Sequence, residues 1–384
     1  MDTSPLRPVT LSLSGERIQA TYLITGSEQH AAAVLEQLIV EQTIEFPAEL
    51  VPDDDITRHI IGRVESTTRS DPTALDARVS YAVEVTGWQL PQLLNVLFGN
   101  VSMVPGVRLV DLDLPHSFLA RLPGPRHGVP GLRERFAPRG GPLLATALKP
   151  MGTPVEDLAR FAYDLAFNGL HLVKDDHSFA DQPFATFRER VPALAAAVER
   201  ANVDRGEQAS VYLPALNLPA DRLQDGVELA VEAGAGGLLL LPGLVGFDTM
   251  RHIIDTLPED MVVMSHPSFL GSHVTDPTGG LSHGLALGTL PRLAGADVTI
   301  FPNYGGRFSF SPEACTDIAT ASRAPLGELR PAFPAPGGGM SVERVPEMVR
   351  FYGEDVCLLI GGNLYRGDIA TQVQRMTNAI EELL

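Results

Sequence analysis

From residue 142 to the C-terminus the chain alternates eight times between a short apolar run and an amphipathic segment. The runs are PLLATALK, LHLVKDD, ASVYLPAL, GLLLLPG, MVVMSHP, VTIFPN, LRPAFPA and VCLLIGG. Each is too short for a helix and apolar on both faces, the pattern of a parallel strand buried on both sides. The segments between them, among them VEDLARFAYDLAFNG, LSHGLALGTLPRLAG and VERVPEMVRFYG, carry helical periodicity, and several end at Gly. Eight β-α units over such a length predict an α/β fold with a C-terminal (β/α)8 TIM barrel. A doubly wound open sheet is the alternative, but no GxGxxG opens any unit.

The first part of the chain reads differently. TYLITG, ARVSYAVEV and VRLVDLDL alternate like strands, and HAAAVLEQLIVEQ and PQLLNVLFGN read as helices. A β-α-β-β-α-β rhythm predicts a smaller N-terminal α+β domain of ferredoxin-like type. The Pro-, Gly- and Arg-rich stretch ARLPGPRHGVPGLRERFAPRGG separates the two. The expected domains are residues 1–125 and 126–384.

Charge and cysteine content narrow the partners. A net charge of -18 argues against nucleic acid or an anionic membrane as partner, while a local metal and a few cations can still receive an anionic small molecule. Two cysteines, Cys315 and Cys357, suit a reducing cytoplasm and form no zinc-type cluster. No apolar run reaches membrane-span length, and the first residues carry no signal-peptide pattern.

In a barrel, chemistry belongs at the C-terminal ends of the strands. The residues there are Lys149 after the first strand; Lys174, Asp176 and His177 after the second; His266 after the fifth; and Asn303 and Arg307 after the sixth. Gly337, Gly338 and Gly339 follow the seventh, and Gly361 and Gly362 the eighth. Glycines there can offer backbone N–H groups to a phosphate. Lys-x-Asp at a strand end suggests a hard-metal site, because buried charges of that kind must be paired. The plainer readings are an ion pair at the rim, a solvated His177, a structural His266, a strained glycine turn and a surface Arg307.

These residues occur in an order that resembles RuBisCO and the RuBisCO-like proteins. LFGNVSMVPGVRLVDLDLP, GPRHG before PLLATALKP, VKDD…QPF, the paired glycines and PEMVRFYGEDV carry the resemblance through most of the chain. It implies that Lys174 takes up CO2 as a carbamate and, with Asp176, binds Mg2+; His177 stands where RuBisCO has a glutamate ligand. It implies further that Lys149 moves the proton at the substrate carbon and that His266 lies near the substrate hydroxyls. Gly338, Gly339, Gly361 and Gly362 would cradle one phosphate. Asn100, with Glu41 and Thr43 in a nearby loop, would reach the active site of a neighbouring subunit, which implies a homodimer or a multiple of dimers.

Departures from RuBisCO are equally specific. Pro267 replaces an arginine that grips a second phosphate, Gly337 replaces a serine, and Met151 replaces a second lysine. Arg307 is at best a substitute for the mobile-loop lysine. The pattern resembles form IV members, which do not fix CO2 and act on ketose monophosphates. The leading expectation is decarboxylation of 3-oxo-isoapionate 4-phosphate. The alternatives are an isomerase or enolase acting on methylthioribulose 1-phosphate or a relative, and a non-catalytic regulatory protein. A buried cation near Arg307 would favour the decarboxylase, because only that substrate brings a carboxylate.

Overall fold

The computed structural model describes residues 6–383. The chain forms two compact units. One runs to Leu122 and also takes in Leu270–Ala286; the other comprises Pro123–Phe269 and Leu287–Leu384.

The first unit has the expected ferredoxin-like sheet. Its antiparallel strands lie in the order Val107–Asp113, Arg17–Thr25, Ala74–Ala82, Arg63–Asp71. Ile18, Ala20, Tyr22 and Ile24 alternate inward from one strand and meet Ala77, Val79 and Tyr81 of its neighbour. The buried Tyr22 hydroxyl lies 3.1 Å from that of Tyr81 and donates to the Leu97 carbonyl at 2.7 Å, tying the sheet to helix Leu90–Phe98. Arg63–Asp71 is an edge strand of mostly exposed side chains, so it carried no alternation to read. A fifth strand, Gly280–Leu281, pairs parallel with Val107–Asp113. The single helix expected over LSHGLALGTLPRLAG is therefore absent. Its start serves this sheet, and its remainder splits into a widened turn at Leu285–Thr289 and one helical turn at Leu290–Leu293.

The second unit contains the eight barrel strands. We label them β1 (Leu143–Leu148), β2 (Leu172–Asp175), β3 (Val211–Leu213), β4 (Gly237–Leu240), β5 (Val262–Ser265), β6 (Val298–Pro302), β7 (Phe333–Gly337) and β8 (Cys357–Leu359). Parallel pairing runs β8-β1-β2-β3 and β4-β5-β6-β7. Leu239 joins β3 to β4, its N–H donating to the Pro214 carbonyl and its carbonyl accepting from Leu216 N–H. The interior follows a strict period of two: Leu143 and Ala145, Leu172, Val211 and Leu213, Val262 and Met264, Val298 and Ile300, Phe333 and Ala335, Cys357 and Leu359. Val129, Leu132 and Phe136 of helix Gly128–Phe136 complete this core. Asp297 anchors that helix. Its buried carboxylate accepts from the N–H groups of His127, Gly128 and Val263 at 2.8, 2.9 and 3.0 Å.

His171 sits at the start of β2. Its Nδ1 accepts from Leu144 N–H at 3.1 Å and its ring stacks on Phe136 at 6.0 Å. Burial, with the charge of Arg205, pushes its pKa down from 6.5 to about 4. The unfolded chain therefore binds this proton near pH 6.5, and the folded chain does so near 4. Stability is unaffected above pH 6.5 and falls as pH drops from 6.5 to 4, by roughly 3 kcal/mol. Urea midpoints measured across that range should drop for the natural chain and flatten in His171→Gln. Equal pH profiles would refute the assignment.

Candidate active site at the C-terminal rim of the barrel

The parity that fills the core also builds the site. Two residues beyond Ala147 is Lys149; beyond Leu172 come Lys174 and Asp176; beyond Met264 is His266; beyond Ala335 is Gly337; and beyond Leu359 is Gly361. All these positions share the inward register at the C-terminal ends of their strands.

Lys149 Nζ donates to Asp176 Oδ1 at 2.6 Å. Ser178 Oγ donates to Asp176 Oδ2 at 2.9 Å, and His177 Nδ1 lies 3.3 Å from Oδ1. Burial alone would raise the Asp176 pKa, but the bonds from His177 and Lys149 and the charges of both lysines outweigh it and hold the carboxyl well below the usual range. Lys174 is buried, and its amine donates to the Asp175 carbonyl at 3.1 Å. Desolvation pushes its pKa down to about 8, against the pull of Asp176. A neutral amine is thus within reach near neutral pH, which is the form that attacks CO2.

His177 and His266 stack with ring centroids 4.3 Å apart and planes 10° apart. His266 Nδ1 accepts from Ser268 N–H at 3.2 Å and lies 2.9 Å from Ser268 Oγ. The ring proton is therefore on Nε2. Burial, reinforced by the neighbouring cations, holds this histidine well below its ordinary pKa, so it is a neutral donor.

The middle aspartate of the motif has the opposite register and a different task. Asp175 is fully buried and faces outward, toward helix Phe187–Arg205. It accepts from Arg190 Nε at 3.2 Å, Tyr212 Oη at 2.8 Å and Ala215 N–H at 3.1 Å. Asn303 is also structural, because its side chain bonds to Tyr352 Oη and to the sulfurs of Met340 and Met348. Arg307 is exposed and stacked over Phe308 at 5.0 Å. Asn100 belongs to the first unit, where its Nδ2 donates to Glu41 Oε1 at 2.8 Å. Gln42 next door fixes that turn by accepting from Val101 N–H and donating to the Asn95 and Val96 carbonyls.

The N–H groups of Gly338, Gly339, Gly361 and Gly362 make no hydrogen bond among the described residues. Gly338 and Gly339 hold φ of +76° and +73°, the left-handed region that needs glycine. A Cβ on Gly361 would lie 3.6 Å from Lys149 Cε, so the β8 glycine abuts the amine. These open N–H groups suit an anion.

Two features escape motif patterns. Tyr365, after β8, donates to the Ala147 carbonyl at 3.1 Å and so braces the end of β1 from which Lys149 emerges. The second is a matter of counting: Lys149 and Lys174 are the chain's two lysines, against 27 arginines.

Among the described residues no three carboxylate, imidazole or thiol groups converge as a metal site. Asp176 and His177 supply two adjacent donors, and a carbamate on Lys174 would supply the third, as oxygen. That set fits a hard divalent cation.

The catalytic-domain model of the ribulose bisphosphate carboxylase large chain matches residues 128–305. A ribulose bisphosphate carboxylase-like protein of Rhodopseudomonas palustris is 40% identical over 349 residues, covering 91% of this chain and 93% of that one. The chain belongs to the RuBisCO-like protein family. A second relative, the 5-methylthioribulose-1-phosphate isomerase of Rhodospirillum rubrum, is 39% identical, with 91% of each chain covered. The crystal structure of a Rubisco-like protein from R. palustris superposes with a TM-score of 0.86 at 36% identity, covering 96% of this chain and 99% of that one. Within this RuBisCO-like framework, Pro267 and Gly337 follow β5 and end β7, and neither side chain can make a charge-assisted hydrogen bond to an anion.

Proposed function

We propose that the protein is an isomerase of a ketose monophosphate, with 5-methylthioribulose 1-phosphate as the leading substrate. The observation that carries this reading is the contrast between two cations. Lys149 is held against Asp176 and Gly361 inside the rim, whereas Arg307 lies exposed on Phe308. An isomerase needs one amine that removes a proton beside a carbonyl and returns it to the neighbouring carbon. A buried cation near Arg307, to receive a substrate carboxylate, would favour a decarboxylase, and Arg307 is not buried. The name of the R. rubrum relative supports the same choice. The decarboxylase expectation draws support from neither observation.

In this reading Lys149 carries the proton, and Asp176 holds its amine in place. His266 donates from Nε2 to a substrate hydroxyl. The free N–H groups of Gly338, Gly339, Gly361 and Gly362 receive the phosphate. Mg2+ held by carbamylated Lys174, Asp176 and His177 would supply Lewis-acid polarisation of the substrate carbonyl. A cytoplasmic homodimer, with Asn100 contributing to substrate binding in the neighbouring subunit, completes the proposal. An enolase acting on a related diketo phosphate is the second reading, since it uses the same amine for the first proton.

Proton NMR in deuterated water, with Mg2+ and bicarbonate, tests the assignment. The expected result is conversion of 5-methylthioribulose 1-phosphate to an isomer, with solvent deuterium entering beside the carbonyl. Release of CO2 from 3-oxo-isoapionate 4-phosphate, without isomerisation of the thio sugar, would overturn it. The carbamate has its own readout. In 13C-bicarbonate with Mg2+ the protein should show one lysine carbamate carbonyl resonance, lost in Lys174→Ala. Persistence of that resonance in the variant would remove Lys174 from the metal set.

A further inference from the structure

The glycine turn after β7 is held by a side chain that no motif singles out. Arg344 precedes helix Val345–Tyr352, and each of its three guanidinium nitrogens has an acceptor. Nε and Nη2 donate to the two carboxylate oxygens of Glu347, each at 3.1 Å. Nη1 donates to the carbonyls of Tyr304 and Gly339, each at 3.3 Å. Its plane lies over the Tyr304 ring at 5.2 Å, and the Tyr304 hydroxyl donates to Glu347 at 2.8 Å. One residue thus joins the loop after β6 to the loop after β7. The two loops meet closely elsewhere. Asn303 N–H donates to the Gly337 carbonyl at 2.7 Å, and a Cβ on Gly339 would fall 2.5 Å from Gly306 Cα.

We propose that Arg344 is the positioning residue of the phosphate subsite: by bridging the Tyr304 and Gly339 carbonyls it holds the Gly338–Gly339 turn with its N–H groups open to the anion. This deepens the phosphate reading of those glycines and rests on it. Arg344 does not bind the phosphate itself, because each of its bonding nitrogens already has a partner and Glu347 neutralises its charge. Its role is geometric. A turn with two consecutive positive φ angles has no side chains of its own to fix it, and fixed donors bind an anion better than mobile ones. Lysine cannot replace it, since a point ammonium does not reproduce a planar fork spanning two carbonyls and a carboxylate.

The test is binding of inorganic phosphate, measured by calorimetry, together with steady-state kinetics, in the natural protein and in Arg344→Met and Arg344→Lys. Both variants should weaken phosphate binding and raise KM about tenfold, with kcat within about twofold, as expected when only a positioning group is lost. Full binding by Arg344→Lys would mean that charge rather than geometry matters, and would overturn the proposal. Unchanged binding in both variants would do the same. If Arg344→Met does not fold, Glu347→Gln takes away one of the carboxylate acceptors that orient the guanidinium, and Tyr304→Phe takes away the hydroxyl that fixes that carboxylate, so each loosens the residue that spans the two carbonyls. Each should then weaken phosphate binding by a few fold, and an unchanged Kd in both would overturn it. A natural protein that binds no phosphate would refute the glycine reading itself and take this proposal with it. That outcome is distinct from variants that bind as well as the natural chain.

Discussion

Lys149→Met is expected to slow exchange of the substrate proton with solvent by about 10²- to 10⁴-fold, the range over which a positioned acid–base group acts. The substitution keeps the volume and apolar stem of the lysine and removes the amine. Asp176 keeps its bond from Ser178 and its contact with His177, so the rest of the site is retained. The fold should be retained as well, because the Lys149 side chain is one-third exposed and lies at a strand end. The carbamate resonance proposed for Lys174 should survive, which separates loss of the proposed proton carrier from loss of the proposed metal set. Deuterium incorporation followed by proton NMR gives the rate. Exchange within a few fold of the natural protein would mean that another group, His177 first, moves the proton.

Asp175→Ala should destabilise the protein by about 3–5 kcal/mol, because it strands a buried charge. Arg190 and Asp175 are both fully buried, and among the described residues no second carboxylate forms an ion pair with Arg190. The same substitution removes the acceptor for the Tyr212 hydroxyl and Ala215 N–H. Asp175 therefore lies between two site residues in sequence while serving the wall behind them. Its loss should appear in the urea midpoint, where Lys149→Met should appear hardly at all. Replacing Arg190 by Met in the Asp175→Ala background should recover part of the loss, since the stranded charge is then gone. An unchanged midpoint in the single variant would show that Arg190 finds another way to be neutralised.

Much of the barrel and its rim was legible because one rule links them. The period of two that makes Leu143, Ala145 and Ala147 alternate inward continues to Lys149, and the same count carries β2 to Lys174 and β5 to His266. The contacts that stayed hidden depend on approaches between distant segments. Tyr365 meets Ala147, and Arg344 meets Tyr304, across gaps that periodicity does not span. The excursion of Leu270–Ala286 into the first unit is of the same kind: two residues pair with a strand far earlier in the chain. Arg63–Asp71 was hidden for another reason, since an edge strand with both faces exposed has no apolar side to mark it. Arg307 lay where sequence order put it, but its stacking over Phe308 was a matter of loop packing.

The chain carries lysine at two positions, one buried and one partly open, and both lie at the C-terminal rim of the barrel, in the proposed site. Among side-chain amines, reagents such as activated esters, aldehydes and the linkers of fluorescent dyes or solid supports meet Lys149, while Lys174 is buried. Coupling through side-chain amines, harmless to most enzymes, would here modify the proposed proton carrier. The same scarcity makes a covalent tag on a side-chain amine a report on Lys149, and it directs immobilisation toward chemistry that spares amines.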